Sequence, residues 1–212
     1  PYLLCATDNN MGAAGEVVYR SSAQEWLDEK ALLQDPSQAV SEMPFPMHLV
    51  SEQRQLDQIT GNHLSQFFSY RHGYYDGVER EFRGFGLLLQ TDTEPAPATD
   101  TQGFSAPVLS KTWFHTGKTL HMPVPDAWTG DSRLDPLGST LCTQRIDGTE
   151  HIRTDWDATT LRDAARTLSG SVLRSEILGV DGNTVPYSVT QSRYAVRLLQ
   201  ARSAHDNYSV ML

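Results

Sequence analysis

One stretch constrains the fold more than any other: Tyr70-Arg71-His72-Gly73-Tyr74-Tyr75-Asp76-Gly77-Val78-Glu79-Arg80-Glu81-Phe82-Arg83-Gly84-Phe85-Gly86. Asp76-Gly77 is the pair that a two-residue hairpin turn demands, because both central residues of such a turn need positive φ. The aromatic run Phe67-Phe68-Ser69-Tyr70 leads into it, and the returning arm is charged as far as Arg83 and then apolar. Glycine inside a strand marks either a bulge or a place where another backbone comes close. Gly84 and Gly86, set among Phe82, Phe85 and Leu87, therefore predict a buried second arm approached closely by its neighbours.

Similar events recur along the chain. Tyr2–Ala6 and Glu16–Arg20 read as strands around the turn formers Asp8-Asn9-Asn10-Met11-Gly12. Ser22-Ala23-Gln24-Glu25 fits a capping box, and Trp26, Leu27 and Leu33 fall near one stripe of the helix it would open. Pro36 ends that helix at the latest. Pro44-Phe45-Pro46 leads into a strand from His48 to Ile59, so polar that it is expected to be either exposed or at an edge. Thr60-Gly61-Asn62 turns it back into His63–Arg71, and with Asp76-Gly77 the three arms make a meander. Val108–His115 is strand-like, whereas residues 117–138 are irregular, with prolines and glycines. Leu141–Ile146 and Thr149–Thr154 flank a turn at Asp147-Gly148. Asp157 is the N-cap of a second helix, with Leu161, Ala164, Ala165 and Leu168 at helical spacing and Gly170 just past its end. Ser171–Val180 and Thr184–Gln200 form a last long hairpin, in which Tyr194, Val196 and Leu198 alternate with arginines.

The expected fold is mainly β: antiparallel hairpins and meanders forming a curved sheet, with one or two short helices. The expected organisation is a β segment over residues 1–90 with a helix near 22–34, a Thr- and Pro-rich surface loop over 91–107, and a second β segment over 108–212 with a helix near 157–169. The chain opens on Pro1 in what reads as a strand, which suggests a piece of something longer, with no signal peptide in view.

Composition excludes more than it assigns. With 26 acidic and 17 basic residues in 212, the formal charge is −9, the wrong sign for a nucleic-acid grip. No apolar run is long enough to span a membrane. Cys5 and Cys142 are too few for a disulfide framework; two buried free thiols are expected, with a single disulfide left open. His72 and Asp76 beside the turn suit packing and turn formation better than a metal or an acid–base pair. His115, His121 and Asp126 match no zinc spacing. There is no Gly-x-Ser-x-Gly elbow, and Gly84-Phe85-Gly86 lacks the third glycine of a phosphate loop. Glu79, Glu81 and Arg83 alternate with Arg80 opposite, which favours cross-strand ion pairing over paired catalytic carboxylates. No catalytic, cofactor or metal residue emerges. The aromatic residues and long loops leave a carbohydrate- or receptor-binding β module as the alternative.

The Tyr70–Gly86 stretch resembles the signature of the middle region of the B subunit of bacterial Tc insecticidal toxin complexes. Further matches follow in the same order: Pro1-Tyr2-Leu3-Leu4 with Asn9-Asn10-Met11-Gly12; Pro44-Phe45-Pro46-Met47-His48; Lys111-Thr112-Trp113-Phe114-His115-Thr116-Gly117; Val172-Leu173-Arg174-Ser175-Glu176 with Pro186-Tyr187-Ser188 and Tyr194. The resemblance implies a structural role without cofactors. The B subunit docks on the pore-forming A subunit and joins the C subunit, through YD/Rhs-type hairpins, into a hollow shell around the cytotoxic part of C. On this reading the chain is a secreted, non-catalytic stretch of shell wall that binds no nucleic acid and inserts into no membrane. Its structural motif is Tyr70 to Gly77 and Arg80 to Gly86, with Trp113, His115 and Gly117. Residues 91–107 and, Gly117 itself apart, 117–138 carry no part of the pattern.

Overall fold

The computed structural model describes residues 2–93, 107–119, 124–133, 142–144, 147–152, 156–205 and 209–212. His121 and most of the loop expected over 91–107 lie outside them. Strands β1 (Ala6–Asp8), β2 (Ala13–Ser21), β3 (His48–Asp57), β4 (His63–Asp76), β5 (Glu81–Thr93) and β6 (Val108–Phe114) follow one another antiparallel in chain order. The hairpin β7 (Cys142–Gln144) and β8 (Glu150–Ile152) forms a sheet of its own. Strands β9 (Val172–Gly179) and β10 (Ser188–Gln191) rejoin the main sheet, β9 pairing with β6, to give eight strands in the order β1-β2-β3-β4-β5-β6-β9-β10. Helix α1 (Ser22–Leu32) follows β2, and α2 (Ala158–Thr167) precedes β9. A short hairpin of β11 (Leu198–Gln200) and β12 (Val210–Met211) closes the order. The mainly β fold with two helices is the one the sequence predicts.

Several local expectations give way. The long strand expected over Thr184–Gln200 is broken: only Ser188–Gln191 pairs with β9, and Leu198–Gln200 pairs with β12 instead. Strand β3 lies inside the sheet between β2 and β4, so of its two expected placements the edge fails and the exposed one holds. Its polarity arises because much of its length is exposed or half-buried, so polar side chains cost nothing there. The capping box is absent. Ser21 is the N-cap of α1, its Oγ accepting from the Ala23 amide at 3.3 Å, while Ser22 is the first helical residue and its Oγ accepts from Met47 N at 2.9 Å. Glu25 turns inward rather than back to the cap, and the buried side of α1 is Ser22, Glu25 and Glu29, with Leu27 exposed. Cys5 is an exposed free thiol, not a buried one.

Two small cores hold the layers together. Leu87 and Trp113, cross-strand partners on β5 and β6, pack with Val124 against Leu89, Ala127 and Leu173. Ala164 and Leu168 of α2 pack with Val196 against Trp156, Tyr194 and Met211, which fastens the C-terminal hairpin to the helix. Asp157 caps α2 as expected, accepting from Thr160 N at 2.7 Å, and Gly170 takes φ +82° just beyond it. Asp163 adds a polar clasp on the same helix: Arg202 grips it through two nitrogens at 2.8 and 2.7 Å, and the Ser209 amide reaches it at 2.9 Å.

Candidate functional site

The Tyr70–Gly86 stretch forms the far half of the β4–β5 hairpin. The turn has four residues, Gly77 to Arg80, and positive φ falls on Arg80 (56°) rather than on the Asp76-Gly77 pair. The carboxylate explains the longer loop: Asp76 Oδ1 accepts from Val78 N at 3.0 Å and Glu79 N at 3.2 Å, closing an Asp-centred turn. Register then shifts, with Tyr74 opposite Gly84 but Tyr75 opposite Phe82, so Arg83 is the extra residue of a bulge. The bulge buries the Arg83 guanidinium, which lies 3.3 Å from Asp76 Oδ2 and 3.4 Å from Glu81 Oε2. Burial alone would raise the Asp76 carboxyl; the Glu79 and Val78 amides and Arg83 outweigh it and hold the group below its ordinary range.

Three of the four glycines in the stretch, Gly73, Gly84 and Gly86, differ in their reasons. A Cβ on Gly86 would sit 2.7 Å from Val124 Cγ2, so the close neighbour is a side chain of the core, not a backbone. A Cβ on Gly73 would meet Met43 Cγ at 2.8 Å and Phe85 Cε1 at 2.9 Å. Gly84 has open space around it, and close approach does not explain it. Its φ of +96° does, because the bulge needs a conformation that L side chains rarely adopt.

Around this hairpin the chain is wrapped by three other segments. From one side, the strap at Glu42 bonds to β4, Glu42 N donating to Gly73 O at 2.8 Å and Tyr75 N to Glu42 O at 3.2 Å. Phe45 stacks edge-on against Tyr75 at 5.4 Å, and Lys118 bridges Glu42 (2.6 Å) and the Tyr74 ring (5.7 Å). From a second, α1 presents its carboxylates. Glu25 Oε2 accepts from Ser69 Oγ at 2.7 Å and Tyr70 N at 3.3 Å, and Arg71 lies 3.6 Å from Glu29. His72, at φ 54°, places Nε2 3.9 Å from Glu29. Burial, then Arg71, lowers the His72 pKa, and burial raises that of Glu29. From the third, α2 meets the tip: Arg162 stands 3.7 Å from Glu79, and Arg166 4.0 Å from both Glu79 and Glu81. The ion pairing expected of Glu79 is therefore with a helix, not across the strands. Inside the hairpin, Tyr70 and Phe82 each pack on Phe85, with ring centroids at 5.1 and 5.5 Å, and Tyr70 Oη donates to Val50 O.

Trp113, 1% exposed, donates from Nε1 to Val124 O at 3.0 Å and so sets the wall that excludes a side chain at Gly86. His115 joins β6 to the turn after α2: its N donates to Ser171 O and its O accepts from Gly170 N, both at 2.9 Å, while Nδ1 accepts from Gly117 N at 3.0 Å. Gly117 has φ +75° and faces Ser169. His72 and His115 thus stand apart in different contacts, and no three His, Cys, Asp or Glu residues converge on a metal site among the described residues. Sequence reasoning missed Glu25, Glu29, Glu42 and Val124 as partners of the motif. For the first two a signal existed: an i, i+4 carboxylate pair on a helix whose apolar stripe is thin.

These contacts do one chemical thing: they fix the shape of a sheet by buried ion pairs, a bulge and close packing, the marks of a structural β segment. The chain belongs to the TcdB insecticide toxin family, residues 1–117 matching its middle/N-terminal region and residues 163–212 its middle/C-terminal region. It is similar over its whole length, at 36% identity and a TM-score of 0.82, to a chain in the crystal structure of TcdB2-TccC3. A chain in a Photorhabdus luminescens Tc holotoxin pore is similar to the same degree. In both cases the match covers 10% of the other chain, so this chain spans about a tenth of the length of its solved relatives. Among curated proteins no match is found.

Proposed function

We propose that this chain is a non-catalytic structural segment of a toxin-complex B subunit. It helps form the hollow β shell that encloses the cytotoxic part of the C subunit and couples it to the A-subunit pore. One observation carries the reading: the whole chain superimposes on part of a chain in the TcdB2-TccC3 complex and on part of a chain in the holotoxin pore. The site agrees with it, since Arg83 pairs with Asp76, and Glu25 and Glu29 face Arg71, all within the segment itself. The C and A subunits are then the partners, and the chain acts outside the cell as part of the secreted complex. Among the described residues no helix is long and apolar enough to cross a membrane.

The test is reconstitution. A B subunit carrying Arg83→Ala within this segment is mixed with its C subunit, and the complex is followed by gel filtration and by protease protection of the C-terminal part of C. Loss of assembly or of protection is expected. A B subunit that assembles and shields its cargo with residues 1–212 deleted would overturn the proposal.

A further inference from the structure

The end of the sheet farthest from the motif carries a feature the shell reading does not use. The β1–β2 loop and the β3–β4 turn lie side by side, joined by Gln58 N to Gly12 O at 2.8 Å and Gln58 Nε2 to Asp8 Oδ2 at 3.0 Å. Beside them a groove of about 940 Å³ opens over β2 and β3. Its floor is low because Ala13 pairs with Asp57 and Gly15 with Gln55, small residues against polar ones. Its rim is apolar: Met11 and Ile59 are 80% and 81% exposed, and Gly12 between them has φ +96° and would bring a Cβ within 2.8 Å of Ile59.

The groove also has a sign. Asp8 and Asp57 stand in its wall, and among the described residues no lysine or arginine lines it. Both carboxylates are held below their ordinary range, Asp8 by the Asn10 amide and Gln58, Asp57 by the Thr60 hydroxyl and the Ile59 and Thr60 amides. Gln53, Gln55 and Asn62 add side-chain amides, which donate and accept as a peptide main chain does. Large exposed apolar groups gathered at a charged groove mark an interaction surface.

We propose that this groove is a docking site for an extended polypeptide segment in which apolar residues alternate with lysine or arginine. An apolar side chain seats between Met11 and Ile59, the cationic ones face Asp8 and Asp57, and the amides of Gln53 and Gln55 take the main chain. The probe is a synthetic octapeptide of alternating lysine and leucine, titrated into the isotope-labelled 212-residue chain and followed by amide chemical shifts. Lysine–serine and glutamate–leucine octapeptides are run beside it. Saturable shifts confined to residues 7–15 and 53–64 are expected, with at least tenfold weaker binding of both control peptides. Met11→Lys with Ile59→Lys should weaken the lysine–leucine peptide at least tenfold while leaving the thermal midpoint in place, because both side chains stand in solvent. Absence of saturation, shifts centred elsewhere, equal binding of the glutamate–leucine peptide, or a variant that binds as well as the parent would each overturn the proposal.

Discussion

The two helices are docked by different balances of apolar area and buried charge. α2 turns Ala164, Ala165 and Leu168 inward against Val196 and Met211, as an amphipathic helix does, with Asp163 as its single buried carboxylate. α1 turns Ser22, Glu25 and Glu29 inward and meets Ser69, Arg71 and His72. The difference lies in the surface each one finds. A strand offering a guanidinium, a hydroxyl and a free amide makes buried carboxylates tolerable, but desolvation cancels much of what the ion pairs return. α1 is thus held mainly by complementarity that is costly to break, and α2 mainly by area, with the Asp163–Arg202 pair added to it.

The largest expected effect follows from that asymmetry. Glu25→Ala strips a partner from Arg71, Arg20 and Ser69 at once and should cost about 3–5 kcal/mol by denaturant unfolding, the usual penalty for orphaning half of a buried pair. A loss below about 1 kcal/mol would erase the distinction between the helices. Leu168→Ala on α2 should cost about 2–5 kcal/mol, through lost burial and the cavity left behind. A double-mutant cycle sharpens the contrast: Glu25 and Arg71 should show a coupling of roughly 0.5–3 kcal/mol, whereas Glu25→Ala and Leu168→Ala should add.

Smaller effects come from the caps. Asp157→Ala should lower the thermal midpoint more than Ser21→Ala, because its cap bond is 2.7 Å against 3.3 Å. Acid should separate the helices as well. Glu29 has a raised pKa in the fold, so its contribution is fully present below the ordinary 4.5 and lost as pH rises through the raised value. Glu29→Gln should therefore raise the thermal midpoint at neutral pH, with the gain closing below about pH 4.5. Asp163 on α2 runs the other way. Burial would raise it, but Arg202 and the Ser209 amide win and lower it, so its contribution is present above the ordinary 3.8 and lost as pH falls through the lowered value. Asp163→Asn should lower the midpoint at neutral pH, with the deficit shrinking in acid.

The same contrast explains what could be read from the sequence. α2 was legible because its cap, its apolar spacing and its terminal glycine all agree. The strands β3 to β6 were legible because turn residues punctuate them. α1 was misread because its apolar residues suggested a stripe, while burial was decided by arginine and serine more than forty positions away. The hairpin turn failed for a related reason: Asp76 favours a two-residue turn locally, but its carboxylate is used to hold Val78, Glu79 and the bulged Arg83. Tyr194 and Val196 alternate like a strand, yet what they pack against is α2. Within the motif, Gly86 was correctly marked as a crowded position, whereas Gly84 was marked for the wrong cause.

The order of the strands has a kinetic consequence. From β1 to β6 every partner is the next strand in the chain, whereas Trp113 must wait for Arg174 before β9 can join. Closing that span costs loop entropy that the early hairpins do not pay. During synthesis the first six strands can assemble while the remainder is still being made. Amides of β3 to β5 should accordingly gain protection from exchange before those of β9.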